Sequence, residues 1–229
     1  MHQFTLIIDG EVISASQRET IDVVNPATSS VLGQLPCATV EDLDRAASAA
    51  ARTFDGWKSL GAIRRSEILR RAAQLTHAKQ NEIAQVLTLE QGKPLREALG
   101  EVSGIVETLE WFAEEGRRNY GRIVPAPSDE IEFKVVQIPI GPVLILTPWN
   151  FPVGEVATHL APALAAGCTA VIKSSEEAPS ATAMLVGILH EAGVPHGVVN
   201  LVYGDPALIS KHLINSPAIR KVAFTGSVP

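Results

Sequence analysis

With 229 residues, 46% of them apolar, and a net charge of −6, the chain can bury a large core in one or two domains. Its acidic balance, with Lys and Arg dispersed, argues against a nucleic-acid partner, which needs a basic face to neutralise phosphates. The densest basic patch, Arg64-Arg65 and Arg70-Arg71, falls on one predicted helix and reads as a solvated face.

No stretch approaches the ~18 consecutive apolar residues of a membrane span. Residues 1–4 lack the basic start and apolar run of a signal peptide. Cys37 and Cys168 stand far apart and outside any CxxC pattern, so a reduced, cytoplasmic compartment is expected.

Along the chain, residues 4–8 and 11–13 flank Asp9-Gly10, a hairpin signal in an extended lead-in. Asn25-Pro26 turns the chain, and residues 31–35 read as a further strand. Thr39 with Asp42 approximates a capping box, followed by Leu43, Ala47, Ala50 and Phe54 at helical spacing. Ile68, Ala72 and Leu75 form a second apolar stripe, and Ile83, Val86 and Leu87 a third. Gly92 closes a helix and Pro94 suits the first turn of the next, along which Leu95, Leu99, Val102, Val106 and Leu109 keep step. All these stripes are read as core packing.

Between 122 and 140 the pattern changes. Glu132, Lys134 and Gln137 alternate with Ile131, Phe133, Val135, Val136 and Ile138, which predicts a strand pair with one exposed face, suited to an oligomerisation arm. From Gly141 onward strands and helices alternate. Residues 143–146 precede a helix near 154–166 stopped by Gly167, and 169–173 precede one near 180–192 stopped by Gly193. Residues 198–202 precede a helix capped by Asp205 with Pro206 at its first position, and 221–224 form a fourth strand. This rhythm predicts an α/β fold with a doubly wound parallel sheet, preceded by a helical region with short β-strands.

In such sheets the ligand crevice lies outside the carboxyl ends of the strands. Those ends carry Trp149-Asn150, Lys173 to Glu176, Gly204-Asp205 and Gly226-Ser227, a set suited to a nucleotide. Lys and Glu can bind ribose hydroxyls, and glycines let a pyrophosphate approach the backbone. No two glycines are two residues apart, so the GxGxxG fingerprint is absent, and the scattered histidines give no support to a metal. Asn150, between Pro148 and Pro152, suits stabilisation of a developing oxyanion. The alternative readings are a turn-forming Asn150, a surface ion pair of Lys173 with Glu176, and a core Trp149.

Four motifs carry a family resemblance: Pro148-Trp149-Asn150-Phe151-Pro152, Ala161-Pro162-Ala163-Leu164-Ala165-Ala166-Gly167, Glu191-Ala192-Gly193-Val194-Pro195 and Phe224-Thr225-Gly226-Ser227. In order and spacing they resemble the aldehyde dehydrogenase superfamily, as does Thr88-Leu89-Glu90-Gln91-Gly92-Lys93-Pro94 upstream. The resemblance implies NAD(P)-dependent oxidation of an aldehyde to an acid through a cysteine thiohemiacetal and thioester. It gives Asn150 the oxyanion-donor role, Lys173 and Glu176 the adenosine ribose, and Gly226 and Ser227 the neighbourhood of the pyrophosphate. The implied cofactor-binding set also includes Leu146, Pro148, Trp149, Ser174, Ser175, Gly204 and Phe224. A carboxylate facing the 2′-hydroxyl repels a 2′-phosphate, so Glu176 favours NAD over NADP.

Three departures stand out: Ser174 where Pro is common, His159 where Lys or Arg is common, and Cys168 where Asn is common. The resemblance divides the chain into 1–121, a hairpin and helical part of the cofactor domain; 122–140, the arm; and 141–229, Rossmann-like βα repeats incomplete at their C-terminal end. Family members are roughly twice as long, with the catalytic Cys and general-base Glu beyond the Phe-Thr-Gly-Ser match, so this portion is expected to be inactive alone. The intact enzyme is expected to be a homodimer or homotetramer. From a different class, a stand-alone nucleotide-binding or assembly module remains the alternative.

Overall fold

The computed structural model describes residues 4–227. β1 (Leu6–Ile8) and β2 (Glu11–Ile13) form the predicted hairpin, with Asp9 and Gly10 in the turn at φ of 54° and 81°. β3 (Thr20–Val24) and β4 (Val31–Pro36) make a separate antiparallel pair. β3 carries only a weak sequence signal, because its inward face is just two residues, Ile21 and Val23, of which only Val23 is fully buried.

Four helices follow: α1 (Val40–Ser59), α2 (Ala62–Ala78), α3 (Gln80–Gln91) and α4 (Leu95–Glu115). The capping box at α1 is complete. Thr39 Oγ1 accepts from the Asp42 amide at 3.3 Å, and Asp42 Oδ2 accepts from the Thr39 amide at 3.0 Å. Gly92 ends α3 in the left-handed conformation at φ 88°. Pro94 stands one residue before α4 rather than inside its first turn, and its carbonyl accepts from the Glu97 and Ala98 amides at 2.8 and 3.0 Å. β5 (Arg122–Val124) and β6 (Phe133–Val135) form the expected antiparallel pair, with Ile123 and Phe133 exposed.

The remaining elements fall within a residue of the sequence expectation: β7 (Val143–Leu146), α5 (Gly154–Ala166), β8 (Ala170–Lys173), α6 (Ser180–Ala192), β9 (Val199–Val202), α7 (Pro206–Ile214) and β10 (Lys221–Phe224). One sheet has the order β10-β7-β8-β9-β1-β2, in which β7, β8, β9 and β10 are parallel. The first two crossovers step one way and the third returns past β7 to the opposite side. Right-handed connections therefore put α5 and α6 on one face and α7 on the other.

The lead-in hairpin is part of this sheet, because β1 pairs antiparallel with β9 through Ile7 and Leu201. Leu6, Ile7 and Ile8 are all buried, so both faces of β1 are covered, and its unbroken apolar run is the trace of that in the sequence. One buried cluster runs from β1 to α7. Trp57, fully buried at the end of α1, donates its indole N–H to the Leu164 carbonyl at 3.1 Å and ties the helical region to α5.

Near the end of α6, His190 has a buried Nε2 without a hydrogen-bond partner among the described residues, and the His196 ring lies 4.9 Å from its own. Burial, reinforced by His196, pushes its pKa from 6.5 down to about 4. Between those values the unfolded chain binds the extra proton and the folded chain does not, so stability present above pH 6.5 is lost as pH falls towards 4. The thermal midpoint should fall over that window, and His190→Gln should flatten the slope in a pH series of melting curves.

Candidate functional site

Because the four parallel strands share one direction, their carboxyl ends meet on one edge. The crossovers leaving β7 and entering β10 run to opposite faces, so the switch point falls between these two strands. Residues 147–153 leave β7 there and lead into α5. Within them Pro152 and Val153 are buried while Trp149, Asn150 and Phe151 are exposed. Trp149 is thus not a core aromatic. Asn150 is exposed in the turn beyond β7, and its side-chain amide makes no hydrogen bond to any described residue.

Beyond β10, the Thr225 amide donates to the Leu146 carbonyl at 3.1 Å. The Thr225 hydroxyl donates to Glu155 at 3.1 Å and meets His159 Nε2 at 2.8 Å, so α5 clasps the loop after β10. His159, a departure from the family pattern, has a structural partner here. Phe224, Gly226 and Ser227 are exposed on this rim. A Cβ at Gly226 would fall 2.3 Å from the tip of the exposed Phe224 ring, which would have to turn aside to admit a side chain.

At the ends of β8 and β9, Lys173 Nζ pairs with Glu176 Oε2 at 2.8 Å, and the Gly204 amide donates to Glu176 Oε1 at 3.2 Å. Gly204 holds φ 134°, a backbone conformation side-chain-bearing residues rarely adopt. Glu176, Gly204 and Asp205 form one wall of a cavity of about 1120 Å³, faced by Cys37, Arg18 and Asp42. A space of that size, with a carboxylate and a backbone glycine at its rim, fits the nucleoside end of a dinucleotide.

Ser174 and Ser175 are turned away from this space. The Ser174 hydroxyl is fully buried against the Pro152 carbonyl and Thr182, at 3.3 and 3.2 Å, and the Ser175 hydroxyl donates to Glu177. Leu146 and Pro148, at the end of β7 and in the turn beyond it, are half-buried.

Neither thiol lies beside Asn150. Cys168 is buried just past the far end of α5, and this helix of 13 residues puts about 20 Å between its termini. Cys37 sits by the end of β9, where the next amide, Ala38, donates to the Tyr203 carbonyl at 2.8 Å. That is two strand spacings from β7, about 10 Å. Burial, with Glu19 and Glu176 nearby, pushes the Cys37 thiol upward, away from the reactive thiolate.

Two residues at the site were missed in the sequence. Lys93 donates to the Asn150 carbonyl at 3.0 Å, and Glu101 accepts from the Val153 and Gly154 amides at 3.2 and 2.9 Å. Glu101 shares the buried face of α4 with Ala98, Val102 and Ile105, and a carboxylate on an apolar stripe was a legible signal.

A doubly wound sheet with a polar crevice at its switch point defines a Rossmann-like α/β protein. The sequence profile of the aldehyde dehydrogenase family matches residues 12–229, and the chain belongs to that family. Succinate-semialdehyde dehydrogenase [NADP(+)] of Escherichia coli (strain K12) is 41% identical over 221 residues, 96% of this chain and 46% of that protein. The crystal structure of succinate-semialdehyde dehydrogenase from Burkholderia pseudomallei superposes with a TM-score of 0.96 at 40% identity, covering 99% of this chain and 47% of the other. A betaine aldehyde dehydrogenase from Staphylococcus aureus, solved with NAD+, gives 0.92 at 30% identity, with 97% and 46% covered. The chain thus spans about half the length of the relatives it matches. Among the described residues no helix is long and apolar enough to cross a membrane.

Proposed function

We propose that these residues are the cofactor-binding half of an NAD(P)-dependent aldehyde dehydrogenase, with Asn150 as the oxyanion donor. The observation that carries the reading is the exposed Asn150 amide at the switch point, in a rigid turn on the same strand-end edge as Glu176 and Gly204. Segments 1–121 and 141–229 make up the cofactor domain, and the strand pair within 122–140 is the arm through which a homodimer or homotetramer forms.

Lys173 and Glu176 would hold the adenosine ribose, Gly204 would let the nucleotide approach the backbone, and Gly226 and Ser227 would border the pyrophosphate. Leu146, Pro148, Trp149 and Phe224 would form the floor and rim of the crevice, with Ser174 and Ser175 contributing backbone only. Bound NAD supplies the electron-pair acceptor for aldehyde oxidation. The chain's own part is to bind and orient it, and to meet negative charge on the substrate oxygen with the Asn150 amide. The ion pair with Lys173 keeps a carboxylate at the ribose site, which favours NAD; the E. coli relative is named for NADP(+). The placement of Cys37 and Cys168 supports a chain without its own nucleophile. A cytoplasmic location accords with two free thiols.

Calorimetric titration with NAD, followed by addition of an aldehyde, tests the reading. The expected result is saturable binding by the 229-residue chain without NADH formation, and NADH formation when the same residues are joined to a cysteine-bearing second half. Absence of NAD binding would remove the cofactor assignment. Turnover by the 229-residue chain itself would show that one of its own groups is the nucleophile.

A further inference from the structure

The motif Thr88-Leu89-Glu90-Gln91-Gly92-Lys93-Pro94 lies outside the crevice, yet its lysine reaches the turn that presents Asn150. The left-handed Gly92 swings the chain at the end of α3, and the Gln91 side chain accepts from the Lys93 amide at 3.0 Å. This turn aims Lys93 at the start of α5. Its ammonium donates to Glu101 Oε2 at 2.5 Å and to the Asn150 carbonyl at 3.0 Å, and lies 4.3 Å from the centre of the Phe151 ring.

Glu101 completes the arrangement. Its Oε1 accepts from the Val153 and Gly154 amides, two donors that the first turn of α5 leaves without helical partners. The carboxylate also sits at the positive end of the α5 dipole. Gly154 makes room for it, since a Cβ there would stand 3.2 Å from Glu101 Cγ. The two side chains are only 8% and 2% exposed. Desolvating such a pair costs so much that well-packed apolar residues of similar volume often serve stability equally well. What an apolar pair cannot do is hold a carbonyl and two amides of one turn at fixed positions.

We propose that Lys93 and Glu101 are positioning residues, which clamp both ends of the turn 150–154 and so hold the Asn150 amide in the orientation an oxyanion requires. The proposal rests on the oxyanion role given to Asn150. Lys93 fixes the peptide plane that follows Asn150, while Glu101 fixes the start of α5 four residues on. Neither residue touches the reacting atoms.

The test uses the enzyme in which these residues are joined to a cysteine-bearing half. In the double variant Lys93→Met/Glu101→Gln both charges disappear together, and Gln keeps an acceptor for the α5 amides, so no lone charge is left buried. We expect kcat to fall about 10- to 50-fold, with aldehyde KM and NAD affinity within about twofold. Added to Asn150→Ala, the double change should cause little further loss, because all three residues act through one amide. Should the double variant not fold, Phe151→Leu serves instead. Phe151 is half exposed, and losing its ring removes one of the three contacts that hold the ammonium, so kcat should fall about two- to threefold in the same non-additive way.

A kcat unaffected by these changes, or a loss that multiplies in full with that of Asn150→Ala, would overturn the clamp while leaving the oxyanion role intact. Normal kcat in Asn150→Ala alone would remove the oxyanion role and the clamp with it. A physical readout is independent of turnover: in the 229-residue chain with Trp111→Phe, where the other tryptophan is the buried Trp57, acrylamide should quench Trp149 more readily in the double variant. Equal quenching would mean that the turn is held without the pair.

Discussion

Asn150→Ala is expected to lower kcat about 100- to 1000-fold in the enzyme these residues complete, which corresponds to about 2.7–4 kcal/mol of lost transition-state stabilisation. Folding should be untouched, because the side chain is exposed and makes no hydrogen bond to a described residue. NAD affinity should also hold, since Lys173, Glu176 and Gly204 lie at the ends of β8 and β9. In the proposed oxyanion role the amide would act from a turn stiffened by Pro148 and Pro152, so its donor need not reorganise when charge develops on the substrate oxygen. Steady-state kinetics with separate NAD titration checks the split between kcat and binding. A parallel loss of NAD affinity would point to a turn-forming Asn instead.

Glu176→Gln is expected to shift cofactor preference from NAD towards NADP about 100-fold, equivalent to about 2.7 kcal/mol. Two effects combine. On the proposed ribose role, a charged acceptor becomes a neutral one, which should weaken NAD by about tenfold. The repulsion towards a 2′-phosphate also disappears, and Lys173, now without its carboxylate partner, becomes an attractive contact for that phosphate. Gln retains an acceptor for the Gly204 amide, so the turn after β9 should keep its shape. Dissociation constants for the two cofactors, measured by calorimetry on wild type and variant, decide the matter. An unchanged ratio would mean that the Lys173–Glu176 pair is a structural ion pair only.

Much of the fold was legible because the central strands are buried on both faces and so read as short, mostly apolar runs, unbroken in β7 and interrupted by the buried Asn200 in β9. Gly92, Gly167 and Gly193 marked helix ends because each adopts a left-handed conformation that side chains disfavour. The capping box at Thr39 and the proline after Asp205 were readable for the same local reasons. β3 was not, since its inward face is only Ile21 and Val23, too short an alternation to stand out. The inward turn of Ser174 escaped too, because it depends on Pro152 and Thr182, which only the fold brings near.

By itself, then, the sequence determined the kind and order of the elements, the strand-end edge where polar residues collect, and the family motif around Asn150. Those features depend on neighbours a few residues apart, through dihedral preference, capping and burial periodicity. The tertiary structure alone decided that β1 lies beside β9, that Glu176 meets the Gly204 amide, and that Lys93 and Glu101 grip the turn of Asn150. These contacts join residues 28 to 194 positions apart through strand pairing and side-chain hydrogen bonds to backbone groups, and no local preference encodes them. They follow from which packing of the whole chain leaves the fewest apolar faces and polar groups uncovered.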